Sequence, residues 1–125
     1  MDRIEFTLPI KVTSKMSFNK VYAGEHWSKR SKEAETYHNF VKYELMKQKI
    51  PRETWELPVE IIFLYNSGLD IDNHAYIDKL IIDGLKGYLI KDDSKKYVRR
   101  KTDDYWDGAG IKVIVREYSP LYSEV

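Results

Sequence analysis

Polar and apolar residues alternate from Arg3 to Ile10, with Ile4, Phe6, Leu8 and Ile10 on one side and Arg3, Glu5 and Thr7 on the other. A period of two is that of a half-buried strand, ended by Pro9 and the polar segment after Val12. From about Ser28 to Lys49 the period changes. Ala34, Tyr37, Val41 and Leu45 recur at spacings of three and four, with Phe40 beside them, which predicts an amphipathic helix closed by Pro51. Val59 to Tyr65 is apolar on both faces from Ile61 to Leu64, the pattern of a strand central in its sheet. A second helix is expected from about Asp72 to Lys86, with a stripe of Ile77, Leu80, Ile81 and Leu85 and with Gly87 as its terminator. Lys95–Thr102 and Ile111–Tyr118 read as two further strands. The turn residues Trp106-Asp107-Gly108-Ala109-Gly110 between them predict a hairpin. The order β-α-β-α-β-β defines an α/β (α+β) fold, a mixed sheet with two helices packed against it.

At 125 residues the chain is expected to form one domain, 1–125, with a single modest core. No apolar run approaches the roughly 18–20 residues needed to cross a bilayer, so no membrane partner is expected. Asp2 and Glu5 lie where a signal-peptide core would start, which points to cytoplasmic residence. The absence of cysteine excludes disulfides, thiolate metal sites and cysteine nucleophiles.

The feature richest in chemistry is acidic. Asp70-Ile71-Asp72-Asn73 is followed by Lys79, Asp83 and then Asp92-Asp93. On an extended strand Asp70 and Asp72 would face the same way about 7 Å apart, and two like charges held that close call for a cation. Oxygen donors without histidine or cysteine suit Mg²⁺ or Mn²⁺ rather than zinc. If the second helix starts near Asp72, Lys79 and Asp83 return to within about 20° of it around the axis. The rival readings are local. Lys79 and Asp83 are also an ordinary i,i+4 surface pair, Asp72 or Asn73 suits a helix cap, and Asp92-Asp93 suits a surface turn. An EF-hand is excluded, because Ala75 and Ile81 stand where glycine and glutamate are required. The three histidines form no site by spacing, and His74 is expected to be an exposed helix residue.

Net charge is only +1, yet basic residues cluster as Lys29-Arg30-Ser31-Lys32, as Lys95-Lys96 and as Arg99-Arg100-Lys101. A polyanion can meet a positive surface despite a neutral total, although solvated faces have the same composition. Cations in the first turn of a helix oppose its dipole by roughly 0.3–1 kcal/mol each, a cost that a phosphate bound at that helix start would reverse.

Taken together, Asp70-Ile71-Asp72-Asn73, Lys79 with Asp83-Gly84-Leu85 and Asp92-Asp93 resemble the RusA family of Holliday-junction resolvases. The likeness extends upstream to Ser17-Phe18-Asn19-Lys20, Tyr22-Ala23-Gly24, His26-Trp27 and Lys29-Arg30. The resemblance implies a homodimeric, Mg²⁺-dependent endonuclease that cuts four-way DNA junctions by paired symmetric nicks and needs no small-molecule cofactor. It implies Asp70, Asp72 and Asp93 as catalytic, metal-binding carboxylates, Asp92 as the neighbouring acid and possible substitute, and Lys79 as the essential base near the scissile phosphate. Lys29, Arg30, Lys32, Lys95, Lys96, Arg99 and Arg100 are the candidate DNA contacts. The interval of seven residues from Asp72 to Lys79 is longer than in the family's type member. Two rivals accompany this expectation: a non-catalytic DNA-structure-binding protein whose acids stabilise a loop, and a metal-dependent nucleotide-sugar transferase, for which the chain is short.

Overall fold

A computed structural model describes residues 3–17 and 27–122, and the side chains of all of these but 27 and 28. The upstream part of the family likeness, from Phe18 to His26, and the side chain of Trp27 lie outside the described residues.

Strand β1 (Arg3–Leu8) buries Ile4, Phe6 and Leu8 and exposes Arg3 and Glu5, as its alternation requires. Helix α1 (Trp27–Lys47) buries Val41 and Leu45 completely and packs Tyr37 and Phe40 against the same core. It ends before Pro51 by a reversal in which Lys49 takes a left-handed φ of 60° and the Ile50 N–H reaches back to the Leu45 carbonyl at 2.9 Å. Just past the helix, Gln48 holds the edge of β1. Its Nε2 donates to the Thr7 carbonyl at 2.8 Å and its Oε1 accepts from the Thr7 N–H at 3.4 Å. A side chain thus satisfies backbone groups that an edge strand would otherwise offer to another chain.

Strand β2 (Val59–Tyr65) takes an interior place. Val59, Ile61, Phe63 and Tyr65 are fully buried toward the helices, and Glu60, Ile62 and Leu64 occupy the opposite face. Glu60 is itself buried, between the guanidiniums of Arg100 (2.7 Å) and Arg116 on the flanking strands. Burial works to raise its pKa, but those two cations outweigh it and hold the carboxyl below its ordinary value.

A 3₁₀ turn (Ile71–His74) then leads into helix α2 (Ala75–Leu85). The regular helix thus starts three residues later than its hydrophobic stripe suggests, and neither Asp72 nor Asn73 caps it. His74 precedes the first helical residue and makes no side-chain cap. Ile77, Ile81 and Leu85 enter the core, while Tyr76 and Leu80 pack against Ala34 and Tyr37 of α1. Gly87 follows with φ 76°, the left-handed residue that its position after the helix predicts.

The last two strands do not form the expected hairpin. β3 (Val98–Tyr105), three residues beyond its predicted bounds, pairs in parallel with β2, and β4 (Ile111–Glu117) inserts antiparallel between β1 and β2. The sheet order is β1-β4-β2-β3. Composition explains the exchange. Ile111, Val113, Ile114 and Val115 are all buried, so β4 gains most from an interior place. β3 carries Arg99, Arg100, Lys101, Asp103 and Asp104, and an edge leaves them access to water. Among the described residues no helix is long and apolar enough to cross a membrane.

Candidate active-site cleft

The segment joining β2 to α2 is fixed by a stack of rings. His74 is fully buried rather than exposed, its ring 4.1 Å from that of Tyr65 and edge-on to Tyr105 at 5.7 Å. Its Nδ1 lies 3.1 Å from the Ile71 carbonyl, which can only accept, so Nδ1 carries the proton. The bare Nε2 then accepts from the Ser67 hydroxyl at 2.6 Å, and the Tyr105 hydroxyl donates to the Leu69 carbonyl at 2.5 Å. These contacts hold the stretch that presents Asp70 and Asp72.

Those two aspartates are not on a strand. Asp70 is the extended residue before the 3₁₀ turn and Asp72 lies within it, so the shared face expected of strand neighbours is not formed. Both are exposed, and neither makes an ion pair with a described residue.

Lys79 and Asp93, by contrast, line one cleft of about 290 Å³ together with Asp78, Asp83 and Lys101, and Ala75 at the start of α2 lines it too. A chain of ion pairs runs along it. Lys79 reaches Asp83 at 3.2 Å, and Lys86 bridges Asp83 at 3.1 Å and Asp93 at 3.3 Å. His38 of α1 approaches Asp83 at 3.7 Å. Burial raises the Asp83 pKa, but Lys86 and Lys79 outweigh it and keep the carboxyl below its usual range. Asp83 in turn, with Asp93, holds the Lys86 ammonium above its usual range. Asp92 turns away to Ser94, accepting from its N–H at 2.8 Å in an Asx turn, and the Ser94 hydroxyl first and this N–H second lower its pKa.

The deepest polar group of the cleft is one that periodicity alone passes over. Asp78 is fully buried; its Oδ1 accepts from the Tyr65 hydroxyl at 2.5 Å and its Oδ2 from Lys101 Nζ at 2.5 Å. Lys101 also reaches Asp103 at 3.2 Å. The other Asp103 oxygen is buried without a donor and neighbours the Asp78 carboxyl. Burial first, and Asp103 second, push the Asp78 pKa up to about 8, so at neutral pH this carboxyl pair holds a proton between its members. The same burial and the nearby carboxylate raise the Tyr65 phenol. The signal for Asp78 lay in its position: it follows Ile77 and precedes Leu80 and Ile81, inside the apolar stripe where an acid needs a partner. Lys101 and Asp103 become its partners only through the register that sets them beside Ile61 and Phe63.

The candidate DNA contacts are unequally placed. Lys29, Lys32 and Lys95 are exposed, and α1 has no acid in its first turn. Arg30 is half-buried. Lys96 lies over the Tyr97 ring and Arg99 over Tyr118. Arg100 is engaged by Glu60 and by the Ser119 carbonyl at 2.9 Å, which leaves it least able to turn toward a phosphate.

Carboxylate oxygens without cysteine match the donor preference of Mg²⁺ or Mn²⁺. Among the described residues, however, no three acids or histidines are arranged to hold a metal ion, and Asp93 is engaged by Lys86. Compared with protein-family models and with curated proteins, the chain matches none.

Proposed function

We propose that the protein is a metal-dependent endodeoxyribonuclease acting on four-way DNA junctions, with paired symmetric nicks made by a homodimer. One observation carries the reading: Lys79 and Asp93 line one cleft, and the turn bearing the exposed acids Asp70 and Asp72 leads straight into the helix whose first residue, Ala75, lines it as well. Asp70, Asp72 and Asp93 are the residues that would hold Mg²⁺ or Mn²⁺, with Asp92 as the neighbouring acid. When bound, such a cation supplies a water of lowered pKa and offsets charge on the phosphate.

The chain's own residues do the rest. Lys79 spends one N–H on Asp83 and is largely exposed, so its remaining donors are available to a phosphate oxygen or to the attacking water. Asp83 fixes that side chain against α2. Lys29, Arg30, Lys32, Lys95, Lys96 and Arg99 contribute phosphate contacts, and two-fold symmetry directs two clefts to opposite strands. The lysine pairing of Asp83 and Asp93 favours one alternative, a junction-binding protein whose acids are structural.

A synthetic four-way junction incubated with the protein in Mg²⁺ and in EDTA separates the two. Symmetric nicks in Mg²⁺ alone, lost in Asp70→Asn and Lys79→Ala variants that melt like the wild type, are the expected result. A folded wild type that binds the junction but leaves it uncut in Mg²⁺ and in Mn²⁺ overturns the nuclease reading.

A further inference from the structure

Lys101 closes the basic run Arg99-Arg100-Lys101, yet its surroundings differ from those of a surface lysine. It lies on β3 with Asp103 and Tyr105 on the face directed at α2, while Arg100, Thr102 and Asp104 take the other face. Two of its three N–H donors are spent, one on Asp78 at 2.5 Å and one on Asp103 at 3.2 Å. The third has no acceptor among these partners. The side chain is 40% exposed, and it lines the cleft that also holds Lys79 and Asp93.

Asp78 in turn is fixed by the Tyr65 hydroxyl, and Tyr65 by its stack on His74. The ammonium is therefore held by a buried, hydrogen-bonded chain rather than left to sample solvent. Such preorganisation is what distinguishes a binding cation from a decorative one. Burial acts to lower the Lys101 pKa, but the Asp78 and Asp103 carboxylates outweigh it and keep the ammonium charged, which suits a donor and excludes a base.

We propose that Lys101 is a second phosphate-contacting residue of the cleft, giving its free N–H to a non-bridging oxygen of a DNA phosphodiester that Lys79 approaches from α2. The inference rests on the nuclease reading only for its ligand, DNA.

The test reads binding in EDTA, where cleavage plays no part. Lys101→Met alone would leave the buried Asp78 Oδ2 without its donor and risk the fold. The variant to use is Lys101→Met combined with Asp78→Asn, whose amide still accepts from Tyr65 and donates to Asp103. Asp78→Asn alone is the reference, and Lys101→Arg retains the charge. For a four-way junction, the slope of log affinity against log salt is expected to flatten by about 0.9 in the double variant relative to Asp78→Asn, and to match the wild type in Lys101→Arg. Single-turnover cleavage in Mg²⁺ is expected to fall roughly tenfold or more in the double variant, as for loss of one oriented donor. An unchanged slope in a folded double variant overturns the proposal, and so does a wild type that does not bind the junction. A wild type that binds without cutting sinks the nuclease reading alone, since the slope still reports on Lys101.

Discussion

Gly84 of α2 packs directly against Val41 of α1: a Cβ built on Gly84 would lie 2.8 Å from the Cβ of Val41 and 3.0 Å from its Cγ1. Next to this contact Lys42 Nζ donates to the carbonyls of Gly84 (2.7 Å) and Lys86 (2.9 Å), satisfying two groups that the end of α2 leaves open. Desolvation lowers the Lys42 pKa, but the side chain gains two fixed acceptors. Asp83-Gly84-Leu85 is thus a packing signature as well as part of an acidic motif. Its middle residue lets α1 lie against the helix that carries Lys79.

Replacing Gly84 by alanine is expected to destabilise the protein by about 1–3 kcal/mol, because the added methyl must push a fully buried valine aside. Helix propensity acts the other way, by about 1 kcal/mol, so the measured loss is the net of the two. Urea unfolding of Gly84→Ala and of the pair Gly84→Ala with Val41→Ala checks this. The second substitution is expected to recover part of the steric loss through non-additivity, and strictly additive losses would show that the contact is not the cause.

Lys49 is expected to be a stabilising site. It holds φ 60° at the end of α1 with a Cβ that conformation disfavours. Lys49→Gly is expected to raise stability by up to about 1 kcal/mol, the smaller side of the left-handed penalty less the greater freedom of glycine in the unfolded chain. A melting temperature that drops in this variant would mean that the lysine side chain contributes more than its backbone costs.

The Asp78–Asp103 pair gives stability a distinctive pH dependence. Asp78 binds its proton more tightly folded than unfolded, so its contribution is fully present below the ordinary carboxyl range and declines as pH rises through about 8. Glu60 and Asp83, whose pKa values are lowered, act in the opposite sense, stabilising above the ordinary carboxyl range and losing that contribution on acidification. Asp78→Asn has no proton to lose. Between pH 6 and 9 the wild type is expected to lose on the order of 1 kcal/mol relative to this variant, read from urea midpoints across the range. Parallel pH profiles for the two proteins would show that Asp78 is already ionised at pH 6.

Much of the architecture was legible because it is local. The alternation of Ile4, Phe6 and Leu8, the spacing of Val41 and Leu45, and the apolar run from Ile61 to Leu64 each decide an element without reference to the rest of the chain. What could not be read was competition between elements. Whether β3 pairs with β4 or with β2 depends on which strand gains more from an interior place, and the turn residues 106–110 carry no information on that. The candidate site divides the same way. Lys79 and Asp83 are four apart on one helix, so their contact at 3.2 Å followed from spacing. Asp70 and Asp72 looked like strand neighbours because the chain arrives from β2, and the 3₁₀ turn that claims them has a weaker signature. Asp78 sat in the hydrophobic stripe, but its partners Lys101 and Asp103 lie more than twenty residues away and meet it only through the parallel register of β3.

The insertion of β4 between the first two strands has a consequence for how the chain matures. Among the described residues β1 pairs only with the segment 111–117, so it must wait until that distant segment has been made. β2, α2 and β3 form a contiguous unit that needs no such delay. Assembly would then start from that unit, with β4 joining β1 to it, and a polypeptide stopped short of Ile111 would carry the cleft's residues on a half-built sheet.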